Sequence, residues 1–224
     1  MVKYILITAA LWSCLLYSGH IMGQTSETVT DINGNVYKTI KVGNDIWMAE
    51  NLAVTHYNDG TPIATVTDKD QWIITLSPAF RWYDDNEIKN KYLGALYNWY
   101  VVDSKKLCPV AWHVSTEKEW ELLAWTLGGN KVAGNKLRAK GNQIWKASEN
   151  IGTDLLGFNA MPAGFVHDFT GQTSSLGEYA SFWTSDEYSR AFGWGRSIHI
   201  NYPELRRFND GKKGGFSVRC VKDK

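Results

Sequence analysis

Hydrophobic and polar residues alternate most regularly near the start of the chain. Residues 36–42 (VYKTIKV) are rich in β-branched and aromatic side chains with a period of two, which is typical of a strand. This run ends at Gly43, Asn44 and Asp45, which favour a turn, and residues 46–49 (IWMA) are apolar again. The pattern predicts a β-hairpin.

A capping signal marks the clearest helix. Thr116 is followed three residues later by Glu119, the spacing of a capping box. An apolar face then runs from Trp120 to Leu127, and two glycines end the pattern. We therefore predict a helix that begins after Thr116. Leu96, Trp99 and Tyr100 predict a second, shorter amphipathic helix.

The second half of the chain has a different pattern. After Asn130 single aromatic residues are separated by glycine, serine and asparagine, which favours short strands and long loops over helices. Residues 215–221 (GFSVRCV) alternate apolar and polar positions and predict a closing strand. Together these elements predict short helices, short strands and long loops.

The first residues have the anatomy of a secretory signal peptide. Lys3 is followed by an apolar run of about 13 residues, too short for a membrane span of about 20, and Gly23 precedes a predicted cleavage point at Gln24. A buried N-terminal helix is the alternative, but the run lacks a polar face. Cys14 lies in a weak match to a lipobox, so a lipid anchor stays open. We assign 1–23 to the signal peptide, 24–30 to a disordered leader and 31–224 to the domain.

Charge and cysteine content narrow the functional classes. The 224-residue chain has a formal net charge of +1 and no long run of like charges, so we expect neither a nucleic-acid partner nor a membrane span. After residue 23 two cysteines are left, Cys108 and Cys220. In an oxidising compartment outside the cytoplasm an even pair without metal-ligand spacing predicts one disulfide, with no metal and no cofactor.

Several segments, in a fixed order, resemble the family named for the Fibrobacter succinogenes major paralogous domain. They are residues 31–37 (DINGNVY), 46–52 (IWMAENL), 96–101 (LYNWYV), 108–120 (CPVAWHVSTEKEW), 182–187 (FWTSDE) and 215–222 (GFSVRCVK). The resemblance covers residues 30–223. It implies an exported or surface protein of a bacterium, in a family that is largely uncharacterised.

A more distant resemblance connects residues 183–186 (WTSD) and the closing Gly-Phe-x-x-Arg-Cys-Val to the sulfatase-modifying, formylglycine-generating family. It implies a C-type-lectin-like fold, which is α+β: a single loop-rich domain with short helices and mostly antiparallel strands. The predicted hairpin, helices and closing strand agree with such a fold. The resemblance does not imply that family's catalysis, which needs a pair of reactive cysteines where this chain has Cys220 alone. Lectin calcium signatures are also missing, because Glu204 follows Pro203 instead of preceding it.

The abundant tryptophans suggest sugar binding, because an indole ring can stack on a pyranose while polar neighbours bond its hydroxyls. Core packing is the competing interpretation, and we prefer it for the tryptophans in apolar or periodic contexts: Trp47, Trp99, Trp112, Trp120 and Trp125. Trp183 and Trp194 lie among charged residues. We therefore predict a binding surface of Trp183, Trp194, Asp186, Arg190 and Arg196.

Three functions stay open at this point. The first is a non-catalytic surface or secreted module that binds a glycan or another protein. The second is a structural component of an envelope complex. The third is an enzyme acting on extracellular polysaccharide, which would need a carboxylate pair such as Asp186, Glu187 or Glu204 could supply. The absence of a catalytic motif favours the first.

Overall fold

The computed structural model describes residues 27–141, 144–148 and 151–224. The predicted signal peptide, its cleavage point and Cys14 lie outside the described residues. Of the predicted leader, Thr28–Thr30 forms a strand that pairs with Val36–Val42, so the fold begins before Asp31 and that part of the leader prediction is wrong.

Thirteen strands and five α-helices are described. The strands are β1 (Thr28–Thr30), β2 (Val36–Val42), β3 (Asp45–Met48), β4 (Ala64–Thr65), β5 (Ala79–Arg81), β6 (Leu96–Tyr97), β7 (Trp112–Val114), β8 (Phe165–Val166), β9 (Thr173–Ser174), β10 (Tyr179–Ser189), β11 (Phe192–His199), β12 (Leu205–Gly211) and β13 (Cys220–Lys222). The helices are α1 (Lys69–Ile74), α2 (Glu87–Asn90), α3 (Trp99–Asp103), α4 (Glu117–Thr126) and α5 (Asn130–Leu137), with short 3-10 turns at Tyr83–Asp85 and Lys91–Leu93.

The strands form four small sheets, and nearly all pairs are antiparallel. A five-stranded sheet has the order β1-β2-β3-β13-β7, and β10, β11 and β12 form a meander. A third sheet has the order β4-β5-β6, with β4 and β5 parallel, and β8 pairs with β9. The α+β prediction with short helices and mostly antiparallel strands is confirmed.

Local chemistry explains the two elements that the sequence predicted best. The hairpin of β2 and β3 closes at Gly43, whose φ of 61° is in the left-handed region that glycine adopts without strain. In α4 the Thr116 side chain accepts from the Glu119 backbone N–H, and the Glu119 carboxylate accepts from the Thr116 backbone N–H. Both predictions are confirmed.

Three local predictions are corrected, the first two in their bounds only. Leu96 begins strand β6, and the predicted helix begins only at Trp99, after Asn98 accepts a hydrogen bond from the Val101 N–H. The residues after Asn130 were predicted to form strands and loops, but Asn130 begins helix α5, which packs on β12. Gly129, with φ 98°, changes the chain direction between α4 and α5. Trp125 is 79 % exposed, because it follows the inward-facing Ala124 and so points away from the core.

Aromatic rings fill the core between the five-stranded sheet, α4 and β10. The Trp120 ring lies 5.1 Å from Trp47, 5.5 Å from Phe158 and 5.2 Å from Phe182, centroid to centroid. The contacts with Trp47 and Phe158 are edge-on, an arrangement that adds to the hydrophobic stabilisation of burial. The preference for a core role is thus confirmed for Trp47 and Trp120, and Trp99 is also buried, whereas Trp112 is only half-buried.

The C-terminal segment ties the sheets together. The predicted closing strand is regular only at Cys220–Lys222, and the residues before it make isolated bridges to three different elements. Arg219 is fully buried and donates to the Asn51 side chain and to the carbonyl oxygens of Met48 and Phe158. Burial lowers the pKa of Arg219 to about 9. The predicted disulfide joins Cys108 to Cys220, with Cα atoms 6.0 Å apart.

Candidate functional site

A groove of about 530 Å³ opens between the β8–β9 hairpin and the β10–β12 meander. Its lining combines aromatic rings, hydroxyl groups and charged side chains. The lining residues are Phe165, His167, Ser174, Ser175, Tyr179, Ser181, Ser197, Arg206, Arg207, Phe208, Asp210 and Phe216.

Small residues on one face of β11 leave room for aromatic rings from other elements. Gly193, Gly195 and Ser197 share one face of the strand, and all three are small. The ring of Phe208 crosses the strand at Gly195, where a Cβ atom would lie 2.5 Å from the Phe208 Cζ. A larger side chain at Gly195 would therefore displace Phe208 and reshape the groove.

Three half-buried rings and one buried ring supply the apolar surface. Phe165 lies 5.9 Å from Tyr179 and 6.0 Å from Phe216, and Phe208 lies 5.2 Å from Phe216, between centroids. Phe216 is 3 % exposed, so it forms the floor, whereas Phe165, Tyr179 and Phe208 reach solvent. The rings hold each other in place, which makes the apolar wall rigid.

Asp210 is an acidic residue of the groove whose pKa is raised above the usual value for aspartate. Burial, and then the neighbouring Asp168, raise the pKa of Asp210 to about 6. Asp168 lies behind the strand, against the Cα atom of Gly211, and burial raises its pKa as well. Two nearby carboxyl groups that cannot be well hydrated disfavour each other's ionisation. Asp210 is therefore only part-ionised near pH 6.

The positively charged groups near the groove already have partners. Arg206 donates from Nε to Glu204 at 3.0 Å, and its guanidinium lies 4.4 Å from the centroid of the Tyr202 ring. Arg207 forms an ion pair with Glu117. His167 is exposed, and its ring lies 4.8 Å from Phe165.

Trp183, the first residue of the predicted binding surface, lies beneath the groove and does not line it. It is 0 % exposed, packs edge-on against Phe216 at 4.5 Å, and donates its indole N–H to the Tyr97 carbonyl at 2.9 Å. A fully buried ring cannot stack on a ligand. The prediction that Trp183 contacts a ligand is therefore wrong, and its role is to support the floor.

Arg196 and Asp186 have structural roles on the other side of the meander. Arg196 is 1 % exposed and forms a bidentate ion pair with Glu117, at 3.0 Å from both Nε and Nη2. Asp186 accepts a hydrogen bond from the Glu117 backbone N–H at 2.7 Å, at the first residue of α4. The charge of Arg196, which suggested exposure, is instead neutralised by Glu117, a partner distant in the chain, so Arg196 is not part of a binding surface.

Trp194 and Arg190 also lie away from the groove. Trp194 shares a face of β11 with Arg196, and its half-buried ring contacts Tyr188 at 4.6 Å and the Arg207 guanidinium at 3.5 Å. Arg190 is exposed in the β10–β11 turn. The five predicted residues thus do not converge on one site, because strand alternation directs them to opposite faces.

Sequence reasoning missed the residues that do converge. The signal was present in the alternation of Arg206, Phe208 and Asp210 on β12, which all line the groove. The register places Gly195 and Ser197 of β11 beside Phe208 and Arg206. The alternation does not reveal that the β8–β9 hairpin lies opposite.

A second depression, of about 550 Å³, is a weaker candidate. Its lining is polar and has no aromatic ring: Thr67, Asp68, Lys69, Arg81, Asp84, Asp85, Gly171, Gln172 and Thr173. The most buried of its charged groups, Arg81, already binds Asp85 and the Gly171 carbonyl. The depression therefore offers a ligand little beyond exposed polar groups.

Neither a metal-binding cluster nor a membrane-spanning helix is present in the described part of the chain. No three His, Cys, Asp or Glu side chains within residues 27–141, 144–148 and 151–224 are grouped to hold a metal ion. In the same residues no helix has the length and apolar character of a membrane span.

Comparison with known proteins gave one match. The model of the Fibrobacter succinogenes major domain family matches residues 40–222. No curated protein and no solved structure matches the chain.

Proposed function

The chain belongs to the Fibrobacter succinogenes major domain family, and from that premise we propose that it is an exported, non-catalytic binding module whose ligand is a glycan. The groove between the β8–β9 hairpin and the β10–β12 meander carries this proposal. It combines a rigid aromatic wall with hydroxyl, guanidinium and carboxyl groups in a space of about 530 Å³. Ligand sites of about 300–1,000 Å³ commonly have this mixture.

A sugar can interact with both the aromatic rings and the polar groups that line the groove. The C–H face of a pyranose is apolar and stacks on an aromatic ring, here Phe208 or Tyr179. Its hydroxyl groups need hydrogen-bond partners, and Ser174, Ser175 and Arg206 lie along the same groove. A purely apolar ligand would leave these polar groups without water or partner.

The distribution of carboxyl groups favours binding over hydrolysis. A glycoside hydrolase needs two carboxyl groups that flank the scissile bond, about 5 to 9 Å apart. Among the described residues that line the groove, Asp210 is the only carboxylic acid. Asp168 lies close to Gly211 and does not line the groove.

Export is part of the proposal. The signal-peptide anatomy of residues 1–23 supports it, and the Cys108–Cys220 disulfide is of a kind that persists outside the reducing cytoplasm. The distant resemblance to C-type-lectin-like proteins is in line with a binding role, and we retain that fold relationship as part of the proposal.

A glycan array probed with the mature protein tests the function, followed by calorimetric titration of the best ligand. Phe208→Ala should weaken binding by about 1–3 kcal/mol, as loss of an aromatic stack on a nucleobase does. Phe192→Ala is the matched control, because Phe192 is an exposed ring on the opposite face of the meander.

Phe208→Ala also removes packing against Phe216, so a second variant separates binding from folding. Ser174→Trp places a large side chain in the groove and leaves the aromatic wall intact. We expect it to abolish binding without a fall in melting temperature comparable to a core truncation. Unchanged affinity in both groove variants would overturn the proposal.

A further inference from the structure

We infer that the glycan bound in the groove carries a protonated amino group, as a hexosamine with a free, non-acetylated nitrogen does. This inference rests on the proposed glycan-binding function and specifies its ligand class. It follows from the charges that face the groove and from the rings that surround them.

Negative charge in the groove lacks a cationic partner. Within the described ranges neither Asp210 nor Asp168 takes part in an ion pair. The charged groups around them are Lys213, His167, Arg206 and Arg207, of which Arg207 forms an ion pair with Glu117. Lys213 donates its Nζ to the Ile73 carbonyl at 2.7 Å, and Arg206 is paired with Glu204. Among the described residues none of these groups forms an ion pair with the Asp210 carboxylate.

A half-buried carboxylate without a cation is costly for the folded protein. Burial and the neighbouring Asp168 raise the pKa of Asp210, which shows that the surroundings disfavour its charge. A ligand that brings a positive charge would remove this penalty on binding. A ligand with a carboxylate, such as a uronic acid, would increase it.

The aromatic wall suits the same ligand. Phe208 lies two residues before Asp210 on β12, so both side chains project from one face of the strand, and Phe165 and Tyr179 line the same groove. The face of an aromatic ring carries partial negative charge and attracts an ammonium group within about 6 Å. An amino group in the groove would thus meet ring faces and a carboxylate together, while the sugar ring keeps its stacking contact.

The direct test compares two probes that differ only at nitrogen: an oligosaccharide of glucosamine and its N-acetylated counterpart. Titrations with the mature protein at about pH 7, which is above the pKa of about 6 of Asp210, should give at least about tenfold tighter binding of the free-amine probe. The preference should shrink as salt is added, because part of it is electrostatic. Equal or tighter binding of the N-acetylated probe would overturn the inference.

Asp210→Asn identifies the group responsible. The variant should bring the ratio of the two affinities to within about twofold, since it removes the charge and keeps the shape. Asp103→Asn removes an exposed carboxylate that does not line the groove, and the full preference should persist there. If Asp210→Asn still preferred the free-amine probe, another group would be responsible for the preference and the inference would be wrong.

The outcomes also separate the inference from the function on which it rests. If the protein binds neutral glycans through Phe208 and shows no preference for the amine, the ligand class is wrong and the binding function stands. If neither probe binds and the array is blank, the binding function itself fails.

Discussion

Glu117 and Arg196 form a buried bidentate ion pair that joins the first turn of α4 to strand β11. Arg207 binds the same carboxylate from β12, and Asp186 caps the backbone N–H of Glu117 from β10. One residue at the helix start thus fixes the position of all three strands that carry the groove.

Glu117→Gln should destabilise the domain, because Arg196 would keep its buried charge and lose its counter-charge. We expect a loss of about 2–4 kcal/mol in the free energy of unfolding, measured by urea denaturation. Glu121→Gln is the control, because the Glu121 carboxylate also lies near Arg196, at 3.7 Å, but is exposed to solvent. This variant should change stability by less than about 0.5 kcal/mol. Equal effects of the two variants would contradict the role of the pair.

The disulfide should contribute strongly to stability. It connects positions 112 residues apart, so the Cys108→Ser, Cys220→Ser double variant frees a long loop in the unfolded chain and should lose about 2–5 kcal/mol. Calorimetry of the mature protein measures this. Alkylation of both cysteines in the unreduced native protein would show that the bridge is absent.

His113 should make stability fall in alkaline solution. Hydrogen bonds to Glu119 and Asp223 raise its pKa to about 9, and the folded state therefore holds the proton more tightly than the unfolded chain does. The contribution is complete below the ordinary histidine pKa of about 6.5 and disappears as pH rises through about 9. Melting temperatures across this window should decrease for the wild type, and that part of the decrease should be missing in His113→Asn.

Ionisation of Asp210 should lower the stability of the domain, at a more acidic pH than the loss of the His113 proton does. Its pKa is raised from 3.8 to about 6, so the stability of the domain is greatest when Asp210 is protonated and falls as pH rises through this window. Asp210→Asn should be more stable than wild type at about pH 7, by roughly 1 kcal/mol after allowance for partial exposure, and equal near pH 4. A less stable variant at neutral pH would mean that the Asp210 carboxylate has a partner that stabilises it.

Mass analysis of the exported protein should find a mature N-terminus within a few residues of Gln24, since Gly23 ends the signal-like segment. An intact Met1 would contradict export by this signal. A lipidated Cys14 would instead indicate a membrane-anchored product.

The sequence by itself determined those features that depend on neighbouring residues or on simple counting. The capping box at Thr116 and Glu119 fixes the start of α4 because both hydrogen bonds are made within four residues. The β2–β3 hairpin follows from alternation and from the turn residues between the strands. The Cys108–Cys220 pairing followed from the two cysteines left after the predicted signal peptide and from the oxidising compartment that this peptide implies.

The groove was decided by tertiary structure. Trp183 and Phe208 lie in the same row of the meander, with Gly195 between them, and the sequence predicted a binding role for Trp183 and not for Phe208. Phe216, from the far end of the chain, covers Trp183 and leaves the Phe208 ring half-exposed. Periodicity tells which side chains share a face of a strand. Which of them is covered depends on packing by residues distant in sequence, and so does the pairing of Arg196 with Glu117 that removed it from the predicted surface.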